Sequence, residues 1–145
     1  MTEVFFYILD DTGPASRARL AWRVAERAMR AGRKVYVHTA GAEQADAIDR
    51  HFWEDPLAGF LPHVRAGEAS AATAPVVIGH GDDPGEHHDV LLNLGDTVPD
   101  FFSRFGRVAE MVTGNENERR DARARWKFYR DRGFPVHDHR LRGQP

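Results

Sequence analysis

The chain has 145 residues, 20 Lys/Arg, 22 Asp/Glu and no cysteine. That length suits one domain over residues 1–145 with its own core, and it excludes a disulfide framework, a thiolate metal site and a cysteine nucleophile. With 41% hydrophobic and 29% charged residues the chain is no wholesale disordered polymer; it has no apolar run of about 20 residues to span a membrane, and Met1–Phe6 lacks the basic start of a secretory signal, so the expectation is a cytoplasmic protein.

Along the chain, Val4–Leu9 is a continuous apolar run rich in β-branched and aromatic residues, as expected for a strand covered on both faces. Asp10–Pro14 is a turn. Ala15–Ala31 places Leu20, Val24 and Ala28 at helical spacing with Ala21 and Ala25 beside them, and Gly32 is a natural stop. Lys34–Thr39 reads as a second strand and Glu43–Trp53 as a helix with Ala45, Ile48 and Phe52 on one stripe, closed by Asp55-Pro56. Phe60–His63 is a short apolar stop between loops, and residues 66–75 are loop. Pro75–His80 and Asp89–Leu94 follow as strands around a polar, Gly-rich connection. A short helix holds Phe101, Phe102 and Phe105; Arg107–Thr113 is a strand, Asn115–Arg132 a helix ended by Gly133, and Phe134–Leu141 a last short strand. This alternation predicts one α/β domain with a mainly parallel sheet flanked by helices.

Such a sheet raises nucleotide binding, because phosphates sit at the first strand-to-helix turn. Here that turn, Asp10-Asp11-Thr12-Gly13-Pro14, has neither GxGxxG nor GxxxxGK[ST], and Gly79, Gly81 and Gly85 lead into acidic residues and a strand. Asp10 and Asp11 could hold Mg²⁺ for phosphoryl transfer, or be loop and capping acids; no phospho-accepting Asp ends a middle strand, and lysine occurs only at 34 and 127. His137 and His139 alternate on a strand and share a side, a usable Zn²⁺ geometry, and His87-His88 is a second pair, yet no HExxH helix accompanies them. Ser16, Ser70 and Ser103 lack a nucleophile-elbow context. Neither a catalytic constellation nor a cofactor site is expected.

The charge is unevenly spread. Residues 1–114 carry 11 Lys/Arg against 17 Asp/Glu, whereas residues 115–145 carry 9 against 5. In the last helix Arg119, Arg123, Trp126, Lys127 and Arg130 fall at i, i+4, i+7, i+8 and i+11, one continuous face. A tryptophan among guanidinium groups can take an aromatic group and a carboxylate together. Alternatively, Trp126 packs inward and the arginines face water. A third reading makes the segment a direct single-stranded DNA binder with Trp126 as stacking platform.

The segments VFFYILDD, AGRKVYVHT, DRHFWEDPLAGFLPHVRAGE and ARARWKFYRDRGF, in this order, together resemble the chi subunit family of bacterial DNA polymerase III. The combination of Trp53, Pro56, Phe60, Pro62 and His63 with the Arg/Trp/Lys helix is the specific part. The resemblance implies a nucleotide-binding-like α/β fold without a phosphate loop, and a non-catalytic clamp-loader accessory role in the replisome with no cofactor or metal. It implies two partners, the psi subunit and the acidic C-terminal tail of single-stranded DNA-binding protein, with nucleic acid met only indirectly and no membrane. The tail-binding positions it implies are Trp53, Phe60, Val112, Arg119, Arg123, Trp126 and Lys127; the psi interface is left unplaced. The alternatives that stay open are a single-stranded DNA-binding module and a Mg²⁺-dependent phosphoryl-transfer enzyme using Asp10 and Asp11.

Overall fold

The computed structural model describes residues 1–13, 15–54 and 61–141. Seven strands form one sheet: β1 (Glu3–Leu9), β2 (Val35–Thr39), β3 (His63–Arg65), β4 (Val76–His80), β5 (Val90–Asn93), β6 (Arg107–Val112) and β7 (Val136–Leu141). Their spatial order is β3-β4-β2-β5-β6-β1-β7, and every neighbouring pair is parallel. The expected strand–helix alternation is therefore observed, with a sheet parallel throughout rather than mainly so.

Parallel strands need crossovers, and these cover both faces with helix. Helices α1 (Ser16–Arg30) and α2 (Ala42–Glu54) lie on one face, where Leu20, Val24, Ile48 and Phe52 pack on Val37, Ile78 and Leu92. Helix α3 (Glu116–Asp131) and a 3-10 turn at Phe102–Arg104 lie on the other, where Phe102, Ala122 and Tyr129 pack on Val4, Phe6 and Val108. The one strand the sequence hides is β3: three residues are too few to show a pattern.

The polar content of the second face is specific. Glu110, fully buried on β6, accepts hydrogen bonds from Arg125 Nε at 2.9 Å, Tyr129 Oη at 2.7 Å and Asn93 Nδ2 at 3.0 Å. Arg125 donates a further bond to the Asp96 carbonyl at 3.1 Å. Burial, then the Glu110 charge, holds the Tyr129 hydroxyl well above its ordinary range. A buried charge set is tolerated only when fully paired, and this one ties α3 to the sheet at a fixed height and rotation.

Candidate functional site

In a doubly wound sheet, ligands sit where neighbouring strands send their crossovers to opposite faces. That point lies between β1, which feeds α1, and β6, which feeds α3. Here it is filled by chain. A Cβ on Gly114 would stand 2.4 Å from the Asp10 carbonyl oxygen and 2.6 Å from Thr12 Cγ2, so the two loops touch, and Gly114 N donates to the Asp11 carbonyl at 2.9 Å. Asp11 Oδ1 accepts from Gly13 N at 3.0 Å, and that bond, with one from the Ser16 hydroxyl, holds the Asp11 carboxyl below its usual range. Asp10 pairs with Arg119 at 2.7 Å. Both carboxylates are thus engaged by protein donors, Asp11 within its own loop and Asp10 across to α3.

Just beyond this closed crevice, on the α3 face, lies an open hollow of about 300 Å³. Its floor is Phe6 and Ile8 of β1, Val112 of β6 and Ala122 and Trp126 of α3; its rim is Arg119, Arg123 and Arg140, with Asp138 beside them. Local chemistry sets the geometry. The Asn115 side chain caps α3 by accepting from Glu118 N at 3.1 Å, and Glu118 turns its carboxylate onto the Thr113 hydroxyl. Arg119 Nε donates to the Thr113 carbonyl at 2.9 Å, which holds the guanidinium against the strand end. Arg123, one turn on, is exposed at the rim. Trp126 is half-buried on the floor, with the Arg130 guanidinium 4.9 Å from its ring centroid. Apolar floor and three cations together suit a ligand with an apolar group next to a carboxylate.

Of the residues expected in the sequence, four meet here: Val112, Arg119, Arg123 and Trp126. Lys127 sits on the same helix but outside the lining, paired with Asp131 at 2.6 Å. Trp53 is elsewhere. It ends α2, on the opposite face of the sheet, 56% exposed, with its ring 4.4 Å from that of His63 on β3. β3 is five strand positions from β1, roughly 24 Å at about 4.8 Å per strand. A single pocket enclosing Trp53 and Trp126 is therefore ruled out by sheet order. Phe60, expected beside it, lies outside the described residues. The sequence missed Phe6, Ile8, Asp138 and Arg140; their one available signal is the alternation of β1 and β7, which puts even-numbered residues on one side.

His137 and His139 do share a side of β7, the side away from this hollow, and stack on Phe5 and Tyr7. Among the described residues no cluster of three or more His, Asp or Glu is arranged to hold a metal ion, and no helix is long and apolar enough to cross a membrane.

Fold and hollow define a class: a doubly wound, all-parallel α/β domain whose phosphate crevice is closed by its own loops and whose open concavity suits an apolar, anionic end-group. Residues 1–137 match the family model described as DNA polymerase III chi subunit, HolC. The chain belongs to that family of replication accessory subunits. It is 42% identical over 141 residues to the DNA polymerase III subunit chi of Pseudomonas aeruginosa, covering 97% of this chain and 98% of that protein. It is 32% identical to the Escherichia coli subunit over 139 residues (92% and 95%) and 30% identical to that of Haemophilus influenzae over 130 (89% and 90%).

Proposed function

We propose that the protein is a non-catalytic adaptor that links the psi subunit to the acidic C-terminal tail of single-stranded DNA-binding protein. The observation that carries the tail half is the hollow: an apolar floor with three guanidiniums on its rim. A tail ending in an aromatic residue with a free carboxylate puts the ring against Val112, Ile8 and Trp126 and the carboxylate on Arg123, whose planar fork makes two parallel hydrogen bonds. Arg119, Arg140 and Lys127 draw the upstream aspartates, which raises the association rate and makes binding salt-dependent. The tail pays ordering entropy, so single-tail affinity is modest and several tails on one partner supply avidity.

Trp53 goes to the other partner in this reading. It and Met1 are the exposed large apolar side chains among the described residues, and Trp53 sits on the far face from the hollow. An adaptor that holds two partners at once needs two separated surfaces, and psi is assigned to the Trp53 side. The test is one pair of variants against two ligands. Arg123→Ala weakens binding of a labelled tail peptide about tenfold or more and leaves co-elution with psi intact, while Trp53→Ala leaves tail binding intact and weakens co-elution with psi. Loss of both by one variant, or of neither by both, defeats the assignment. Removing the terminal aromatic residue of the peptide must also abolish its binding.

A further inference from the structure

The face of β1 and β7 opposite the tail hollow has its own chemistry. In register, Phe5 lies beside His137 and Tyr7 beside His139. Their rings stack, Phe5 on His137 at 4.9 Å and 23° and Tyr7 on His139 at 5.5 Å and 18°, and His139 also approaches Phe5 at 5.7 Å. β7 is the outermost strand, so both stacks end at the sheet edge in exposed imidazoles. Inward of the rings, between them and α1, is a hollow of about 270 Å³ lined by Phe5, Tyr7, Arg23, Arg27, Arg33 and Arg107 together with small apolar side chains. No carboxylate lines it among the described residues. The Arg107 guanidinium is 5.1 Å from the Phe5 ring centroid, and Arg107, Arg27 and Arg33 all lie near enough to the Tyr7 hydroxyl to oppose the upward push of burial on it.

The source is a strongly basic stretch inside the acidic body. Residues 16–34 contain Arg17, Arg19, Arg23, Arg27, Arg30, Arg33 and Lys34 against one acid, Glu26. Glu26 pairs with Arg30, Glu3 with His137 at 3.2 Å, and Asp138 points to the other face of the sheet. An acidic peptide would use these cations and leave the ring stacks idle. A duplex would offer phosphates but keep its bases covered. A single strand uses both features, phosphates on guanidinium and bases on flat rings.

We propose that the α1-side face of β1 and β7 binds single-stranded nucleic acid, with backbone phosphates on Arg27, Arg33, Arg107 and Arg23 and bases stacked on His137 and His139. Because alternate residues of the same two strands face opposite ways, the strand and the protein tail occupy opposite faces of one sheet edge, and both fit at once. The surface requires neither partner of the adaptor.

The experiment uses the full chain and a fluorescein-labelled 20-nucleotide oligothymidylate, with no other protein present, read by anisotropy between 50 and 500 mM salt. Four phosphate contacts give a log–log salt slope of about −2.8, so binding weakens roughly fiftyfold between 50 and 200 mM. Arg27→Ala with Arg107→Ala reduces that slope by about 1.4. His137→Ala with His139→Ala weakens binding about fivefold or more, and the two His→Phe substitutions, which keep a stacking ring, restore it. Circular dichroism melts accompany each variant, and the Phe pair supplies a folded comparison if the Ala pair loses stability. The proposal is overturned by no saturable binding at 50 mM salt, or by binding that Arg27→Ala with Arg107→Ala leaves intact. Equal affinity for poly-aspartate, with no effect of the His substitutions, would make this an acidic-peptide surface and overturn it too.

Discussion

Arg119 joins Asp10 at 2.7 Å across 109 residues of sequence, fastening the start of α3 to the loop that follows β1. The contact helps close the crevice between the loops after β1 and β6 and also aims a cation at the rim of the hollow. Asp10 is 83% exposed and Arg119 37%, so the pair adds little to stability and much to placement. It also puts a carboxylate where an anionic ligand must come. Asp10→Asn is expected to strengthen binding of the acidic tail about two- to fivefold at low salt, the gain vanishing near 0.5 M. Anisotropy titrations at two salt concentrations check this; weaker binding by Asp10→Asn would mean that Arg119 needs its partner more than the ligand does.

Arg123 is exposed at the rim of the hollow. Arg123→Ala should cost about 1.5–3 kcal/mol of tail affinity, roughly tenfold to more than a hundredfold. Arg123→Lys should recover only part, since an ammonium presents no planar fork. The thermal midpoint should stay within the range of an ordinary surface substitution, about 0.5 kcal/mol in stability. Calorimetry with the tail peptide, alongside a melt of each variant, decides the matter.

Arg125, two positions away, should behave in the opposite manner. It is buried against Glu110, so Arg125→Met leaves a buried carboxylate unpaired and should cost about 3–5 kcal/mol. Adding Glu110→Gln should recover a large part, because the neutral amide keeps acceptor contact with Tyr129 and Asn93 while the stranded charge is gone. A double-mutant cycle by denaturant unfolding tests this, and additive losses would show that the network is not one unit.

The alkaline limit of stability has a structural cause. Burial, with the Asp83 charge adding to it, pushes the Tyr36 hydroxyl up to about 12, and Tyr129 moves the same way. An unfolded tyrosine titrates near 10, so between the two values the unfolded chain has released a proton that the folded one retains. Stability is unaffected below pH 10 and falls as pH rises toward 12, by about 2–3 kcal/mol from Tyr36. Denaturant unfolding at pH 8 and pH 11 measures the drop, and Tyr36→Phe should flatten it. A steeper drop in the Phe variant would assign the effect to other groups.

The helices and every strand but β3 were legible in this chain. The stripe Leu20–Val24–Ala28 follows from local periodicity, and so do three of the hollow's residues, Arg119, Arg123 and Trp126. Val112 came from family resemblance. The rest of the hollow was hidden because β1 pairs with β6 and β7, more than a hundred residues away, and no local pattern encodes a parallel register. Arg125 was hidden differently: in a helix with six basic residues, a buried arginine looks like the others. Its signal was Glu110, an acid inside the otherwise apolar strand VAEMV, which demanded a partner. Trp53 joined the wrong neighbours because resemblance groups residues by role, whereas only the strand order says which side of the sheet each one occupies.

The position of β1 also fixes when the molecule becomes competent. In chain order the first strand of the sheet lies between its sixth and seventh, and every floor residue it contributes waits for them. During synthesis the central strands β2, β4 and β5 can assemble early, while β1 stays without lateral neighbours until β6 exists and the hollow lacks a wall until β7 arrives. Without β7 the floor residues Phe6, Ile8, Val112, Ala122 and Trp126 remain, but β1 loses its outer neighbour and the rim loses Asp138 and Arg140.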